Sequence, residues 1–255
     1  IPMAWALPGS TFLGIDSASA PIRAALAAAS ALDVKNVEFR ALDLMEAGPL
    51  GVFDYIIAHG FYSWVPEPVR ERLLAVCRSC LAPQGVAYVS YNAQPGGHLR
   101  RIVRETLQYH IRGIADPQEQ LRRAREFAAY IAAWKHPVNG ITNPAAEEFS
   151  VTLERLPNVL FHDDLGEVNE AFYFEDFAAA AARHGLQFLA EADFFEMAPP
   201  PEDPEREAAL DLPPVDDVPR REQYFDLLRC RRFRRTLLCH AEAGLAYIHV
   251  LTHPT

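Results

Sequence analysis

The chain has 255 residues, half of them hydrophobic and 23% charged, enough apolar material for one large domain or two modest ones and too much for a disordered chain. Acidic residues outnumber Lys and Arg by 34 to 24, a net charge of −10, which argues against nucleic acid or an anionic membrane as main partner. Four cysteines are too few for a disulfide scaffold, and no apolar run reaches the roughly 18 residues of a membrane span, so a cytoplasmic protein is expected.

Taken in chain order, Ile1–Leu7 reads as a short helix and residues 11–16 (TFLGID) as a strand buried on both faces. Ser19 to Leu32 is Ala-rich and helical, with Ser19 placed to cap it and Pro21 tolerated in the first turn. Val37–Arg40 and the run FDYIIA (53–58) are the next strands. Pro66–Leu81 is an amphipathic helix, and GVAYVSY (85–91) is a fourth strand. Strands alternating with helices predict an α/β fold, a Rossmann-like, mostly parallel sheet covered by helices.

Two helical patterns follow between 98 and 134, then helical segments near 145–156, 161–169 and 174–184. Leu186–Met197 is predicted as a returning strand. Residues 198–219, dense in prolines and acids, read as a linker. Arg220–Arg235 reads as a basic helix with the apolar stripe Tyr224, Leu227 and Leu228, and 236–241 and 245–251 as terminal strands. The organisation predicted is a sheet domain over 1–97, a helical accessory domain over 98–197, the linker, and a C-terminal helix with strands over 220–255.

In a doubly wound sheet, ligands sit beyond the carboxyl ends of the strands. Asp16 closes the first strand, where a carboxylate can accept from both hydroxyls of a ribose. Asp43 follows the second; its carboxylate suits an exocyclic adenine amino group, with Leu44 packing beside the purine. Ala58-His59-Gly60 follows the third. The opposing reading of each Asp is a turn former or helix cap. A nucleoside site also needs a Gly-rich loop for the charged end of its ligand. None occurs here: Pro95-Gly96-Gly97 comes too late in the order, and the expected strand and loop would precede Ile1.

The series Gly14-Ile15-Asp16, Asp43, FDYIIAHGFYSWVP (53–66), LLAVCRSCLAPQGVAYVSYNAQPGG (73–97) and HLRRIVRETLQYH (98–110) resembles a class I S-adenosylmethionine-dependent methyltransferase. Residues 161–194 and 222–242 narrow the resemblance to the bacterial subfamily with a methyltransferase regulatory domain, which is similar to bacterial protein-lysine methyltransferases. The resemblance implies S-adenosylmethionine as cofactor. It makes Asp16 the ribose-binding acid, Asp43 with Leu44 the adenine contact, and Ala58 and His59 the segment near the methionine part. A protein or small-molecule methyl acceptor is expected, with a protein lysine as the specific candidate.

Methyl transfer to an amine needs the neutral amine, so groups that desolvate it or take its proton are sought near the strand ends. His59, Tyr62 and Tyr91 are the candidate catalytic residues, with Trp64 and Asn92 beside them. The competing readings are core packing for the aromatics and a backbone hydrogen bond for His59. Cys77 and Cys80 read as a buried helix face rather than a zinc site, and His162-Asp163-Asp164 as the acidic start of a helix, so no metal is expected. The run RCRRFRR (229–235) reads as a solvated helix face paired with acids such as those of 202–217, since 22 of the 24 basic residues are arginine. Two alternatives stand beside the enzyme: a cofactor-free binding or regulatory module on the same fold, and an NAD-dependent oxidoreductase, which also uses a strand-end acid.

Overall fold

The computed structural model describes residues 1–134, 145–197 and 217–245. Helix α1 (Pro2–Ala6) leads into β1 (Phe12–Asp16), α2 (Ser19–Ala31) and β2 (Val37–Ala41). The two strands pair in parallel, from Phe12 opposite Val37 to Asp16 opposite Ala41. Ser19 is the first residue of α2 rather than its cap; the preceding turn is closed by Asp16, which accepts from Ala18 N.

A second unit of the same kind follows: β3 (Phe53–Ala58), α3 (Glu67–Cys80) and β4 (Leu81–Ala93), again parallel. Leu73, Leu74, Val76, Cys77 and Cys80 form the buried face of α3, and burial pushes the Cys77 thiol up to about 12. Both cysteines therefore serve the core.

Helices α4 (Gly97–His110), α5 (Pro117–Ala133), α6 (Ala146–Leu153) and α7 (Pro157–Leu165) make a separate body. Its own core gathers Val103, Leu107, Ala124, Ala128, Phe149 and Leu160. Helix α7 starts four residues before the predicted 161–169 segment. Pro157 occupies its first turn, where a missing N–H costs nothing, and Gly166 ends it. His162, Asp163 and Asp164 thus lie at its C-terminal end, which disfavours carboxylates. Arg100, paired with both aspartates, and Arg155, paired with Asp164, offset that repulsion.

The chain then returns to the sheet through β5 (Ala171–Phe172), α8 (Phe174–Arg183), β6 (Leu186–Glu191), α9 (Val218–Arg229) and β7 (Phe233–His240). Strand order is β3-β4-β7-β6, with β5 beside the end of β4; β7 runs antiparallel to both its neighbours. Among the described residues, three of the five strand pairings are parallel. The sheet therefore extends beyond the boundary drawn at 97: helices α4 to α7 are inserted between β4 and β5, and β5, β6 and β7 join the sheet.

The returning strand stops at Glu191, and a 3-10 turn over Phe194–Met197 follows. The basic 220–235 stretch is not one helix. Helix α9 ends at Arg229, Cys230 takes the left-handed conformation (φ 49°), and β7 begins three residues later. Leu227 and Leu228 face solvent, whereas Glu222, Gln223 and Asp226 turn inward.

The cause is Arg234, wholly buried on β7 by the period-2 alternation of that strand. It donates to Asp226 (2.8 and 2.9 Å), Glu222 (3.0 Å) and Glu191 (2.6 Å), and its guanidinium lies 4.0 Å above the Phe174 ring. Arg231 joins this cluster through Asp226 and Glu196. The acids that meet these arginines thus come from α9, β6 and the turn after it. Residues 198–216 of the predicted linker and 246–251 of the predicted final strand lie outside the described residues. No helix among the described residues is long and apolar enough to cross a membrane.

Candidate active site at the strand ends

The register of β1 and β2 pairs Asp16 with Ala41, and Leu42 N donates to Asp16 O (2.9 Å). Asp43 therefore stands at the neighbouring strand end. Both carboxylates are exposed and half engaged. One oxygen of Asp16 accepts from Ala18 N (2.7 Å), and one of Asp43 accepts from Met45 N (2.9 Å). Among the described residues the second oxygen of each has no protein partner. Turn formation and ligand acceptance are thus not rival roles here: each carboxylate has an oxygen for both.

Leu44 turns into the core, at 9% exposure, and its carbonyl accepts from Arg72 Nε (3.2 Å). Arg72 Nη2 also donates to Ala47 O. Leu44 thus anchors the loop from below instead of lying beside a purine. Met45, 48% exposed, is the apolar side chain left at that rim. Sequence reading missed it, although a three-residue turn that buries one side chain directs its neighbour outward.

Ala58 ends β3 and is buried in the same cluster as Leu44 and Ala47, which brings the ends of β2 and β3 together. His59 beyond it is exposed. Its Nδ1 lies 3.1 Å from both Tyr88 Oη and Ser90 Oγ, and Ser90 Oγ also accepts from Gly60 N (2.8 Å). One ring nitrogen is thereby anchored to β4, and Nε2 is the nitrogen left for a ligand. The positioning pair Tyr88 and Ser90 was not singled out from sequence; the signal was their i, i+2 spacing on one strand face.

Tyr62 and Tyr91 are elsewhere. Tyr62 is 3% exposed and Tyr91 wholly buried, and both pack with Phe172 and Phe177. Burial pushes the Tyr62 phenol up to about 12 and that of Tyr91 well above its ordinary value. A fully buried phenol held protonated neither reaches a substrate nor takes its proton, so these rings build the core beneath the site. Asn92 lines the cleft described next, and its Nδ2 donates to Asn169 Oδ1 (2.8 Å), tying β4 to the segment after α7. Trp64 is half-buried, 6.3 Å from His162 between ring centroids.

Past His59 opens a cleft of about 640 Å³ between the end of β4, the start of α4 and the start of β7. Phe233 links the two regions, lining the cleft and meeting the His59 ring edge-on at 6.2 Å. Gly96 and Gly97 open α4 on its wall. A Cβ on Gly96 would overlap the carbonyl oxygens of Cys230 and Arg231, so the helix starts in direct contact with the turn before β7.

Acidic strand ends on one sheet and a helical body that follows β4 of the other suit a protein with a nucleoside cofactor, and comparison with known proteins narrows the class. Residues 1–87 match the methyltransferase domain family and residues 157–240 the predicted methyltransferase regulatory domain. The chain thus joins a match to a methyltransferase domain with a match to a methyltransferase regulatory domain, on a class I methyltransferase fold. RP789 of Rickettsia prowazekii is 35% identical over 249 residues, 94% of this chain and 43% of that protein. The structure of PKMT2 from Rickettsia typhi superposes with a TM-score of 0.80 at 30% identity, covering 93% of this chain and 45% of that one. Its complex with AdoHcy superposes at 0.79 with 31% identity and the same coverage. The chain thus spans less than half the length of these relatives.

Proposed function

We propose that the protein transfers a methyl group from S-adenosylmethionine to the side-chain amine of a protein lysine. The observation that carries this reading is the pair of half-engaged carboxylates, Asp16 and Asp43, at adjacent strand ends of a chain that follows AdoHcy-bound PKMT2 over nearly its whole length. The residues present fit the nucleoside half of the cofactor. The second oxygen of Asp16 would accept from the ribose, that of Asp43 from the adenine amino group, and Met45 would pack against the base. The lysine acceptor is supported by the relationship to PKMT2, a protein-lysine methyltransferase.

When bound, S-adenosylmethionine supplies an electrophilic methyl group, and the chain's own residues have to orient the two reactants. The new N–C bond would form from the amine lone pair as the methyl–sulfur bond breaks and S-adenosylhomocysteine leaves, so the lysine must first lose its ammonium proton. We assign receipt or relay of that proton to His59, whose Nδ1 is held by Ser90 and Tyr88 and whose Nε2 is left for a ligand. Isothermal titration with S-adenosylhomocysteine tests the reading. Saturable binding supports it, and no heat at about millimolar ligand, where even weak cofactor affinity registers, overturns it.

A further inference from the structure

The cleft beyond His59 has an asymmetry of charge that the nucleoside site does not explain. Four of its arginines are matched to carboxylates: Arg100 to Asp163 and Asp164, Arg101 to Glu105, Arg155 to Asp164, and Arg232 to Glu148. Arg104 is not. It is 7% exposed and donates to two main-chain oxygens, Asp163 O (2.9 Å) and Gly166 O (2.7 Å). These occupy two of its five N–H donors, and among the described residues it makes no ion pair. Burial accordingly pulls its guanidinium below the ordinary value.

A second group on the same wall is also incomplete. Gln94 is 8% exposed, and its buried Oε1 has no hydrogen-bond donor. Asp163, Asp164 and Glu105 act on Arg104 from beyond ion-pair distance, so its free N–H donors, like the buried oxygen of Gln94, carry a desolvation cost that a ligand relieves. The ligand that relieves both has an anionic oxygen and an N–H group. In a chain of net charge −10, the lining of this cleft sets five arginines against Glu105, Glu148 and Glu170, a local excess of positive charge at its surface.

We propose that the cleft binds the methyl acceptor by an acidic segment of polypeptide, with a carboxylate set against Arg104 and an N–H donated to Gln94 Oε1. Position supports the acceptor: the cleft adjoins His59 through Phe233 and is roofed by the helical insertion, away from Asp16 and Asp43 on the other sheet. The identity of the bound segment as methyl acceptor rests on the methyltransferase reading; its acidity rests on the cleft alone.

The test is a titration of the protein, with and without S-adenosylhomocysteine, by two capped pentapeptides. One has a central lysine flanked by glutamates and the other the same lysine flanked by glutamines. The glutamate peptide is expected to bind about tenfold more tightly, the worth of one charge-assisted hydrogen bond. Arg104→Gln is expected to abolish that preference and leave S-adenosylhomocysteine affinity unchanged. Gln94→Met should weaken both peptides by a few-fold, about one neutral hydrogen bond. Arg122→Gln on the exposed face of α5 controls for net charge and should change nothing. Equal binding of the two peptides by the wild-type protein overturns the proposal. So does a fall in S-adenosylhomocysteine affinity in Arg104→Gln, which would assign the carboxylate to the cofactor. If Arg104→Gln does not fold, the wild-type peptide comparison and Gln94→Met still decide. Failure of S-adenosylhomocysteine to bind the wild-type protein would sink the methyltransferase reading, while the peptide titrations would still judge the cleft.

Discussion

Asp16 shows how one side chain serves both backbone and ligand. Its Oδ1 closes the turn into α2 by accepting from Ala18 N, and the second oxygen remains for a ribose. Asp16→Asn keeps an oxygen for the turn but removes the charge from the ligand side. It should lower S-adenosylhomocysteine affinity about tenfold or more with little change in melting temperature, measured by titration calorimetry and a thermal melt. Unchanged affinity would remove Asp16 from the site. Tyr91 makes the opposite case. Among the described residues its hydroxyl accepts one hydrogen bond, from Thr236 Oγ1 (3.3 Å) in the core, so Tyr91→Phe should cost about 1 kcal/mol in a urea melt and leave methyl transfer within a few-fold of wild type. A loss of turnover without loss of stability would return Tyr91 to catalysis. Both aspartates were legible in the sequence because strand-end position alone identifies them. The burial of Tyr62 and Tyr91 was not, because the aromatic neighbours that cover them, Phe172 and Phe177, come from about a hundred residues away in the chain.

At the scale of elements, the strongest departure from periodicity is α9. Its apolar side faces water and its polar side faces inward, because Glu222 and Asp226 meet Arg234 of β7. A hydrophobic pattern read on one helix cannot register a charged partner on a later strand. Arg234→Met would leave Glu191, Glu222 and Asp226 buried without their main cation. The expected loss is about 3–5 kcal/mol in a denaturant melt, far more than for an exposed arginine such as Arg101. A loss below about 1 kcal/mol would show that the cluster relaxes by admitting water. Elements whose limits are set locally fall where the sequence places them, although β1 is partly exposed rather than buried on both faces. The Ala-rich α2, the amphipathic α3 and the apolar runs of β1 and β3 all form within a few residues of their predicted limits. Helix α7 slipped by one turn because Pro157 and Gly166, not the acids, set its ends.

For the whole molecule, these buried acids give stability a pH dependence of mixed sign. Burial raises the carboxyl groups of Glu222 and Asp226, so the folded state holds those protons more tightly than the unfolded chain. Their contribution is fully present below the ordinary carboxylate range and is lost as pH rises through the raised values. Glu71 runs the other way: its hydrogen bond to His184, with Arg183 adding, lowers it, and its contribution is lost as pH falls. Replacing Glu222 by Gln removes the first effect alone. The midpoint difference between Glu222→Gln and wild type should therefore shift in the variant's disfavour as pH falls from about 8 to about 4, followed by thermal melts. A difference independent of pH would show that Glu222 titrates alike in both states. At this scale the division between sequence and structure is physical. By itself the sequence determined the alternation of strands and helices, the acids at the strand ends, and the likeness to a regulatory-domain methyltransferase, because periodicity and short motifs act over a few residues. Only the tertiary structure decided that β7 closes the sheet between β4 and β6, that Tyr62 and Tyr91 are core, and that Arg104 and Gln94 are left unmatched in one cleft. Those outcomes depend on contacts between segments far apart in the chain, where packing and burial, not local pattern, choose each side chain's partner.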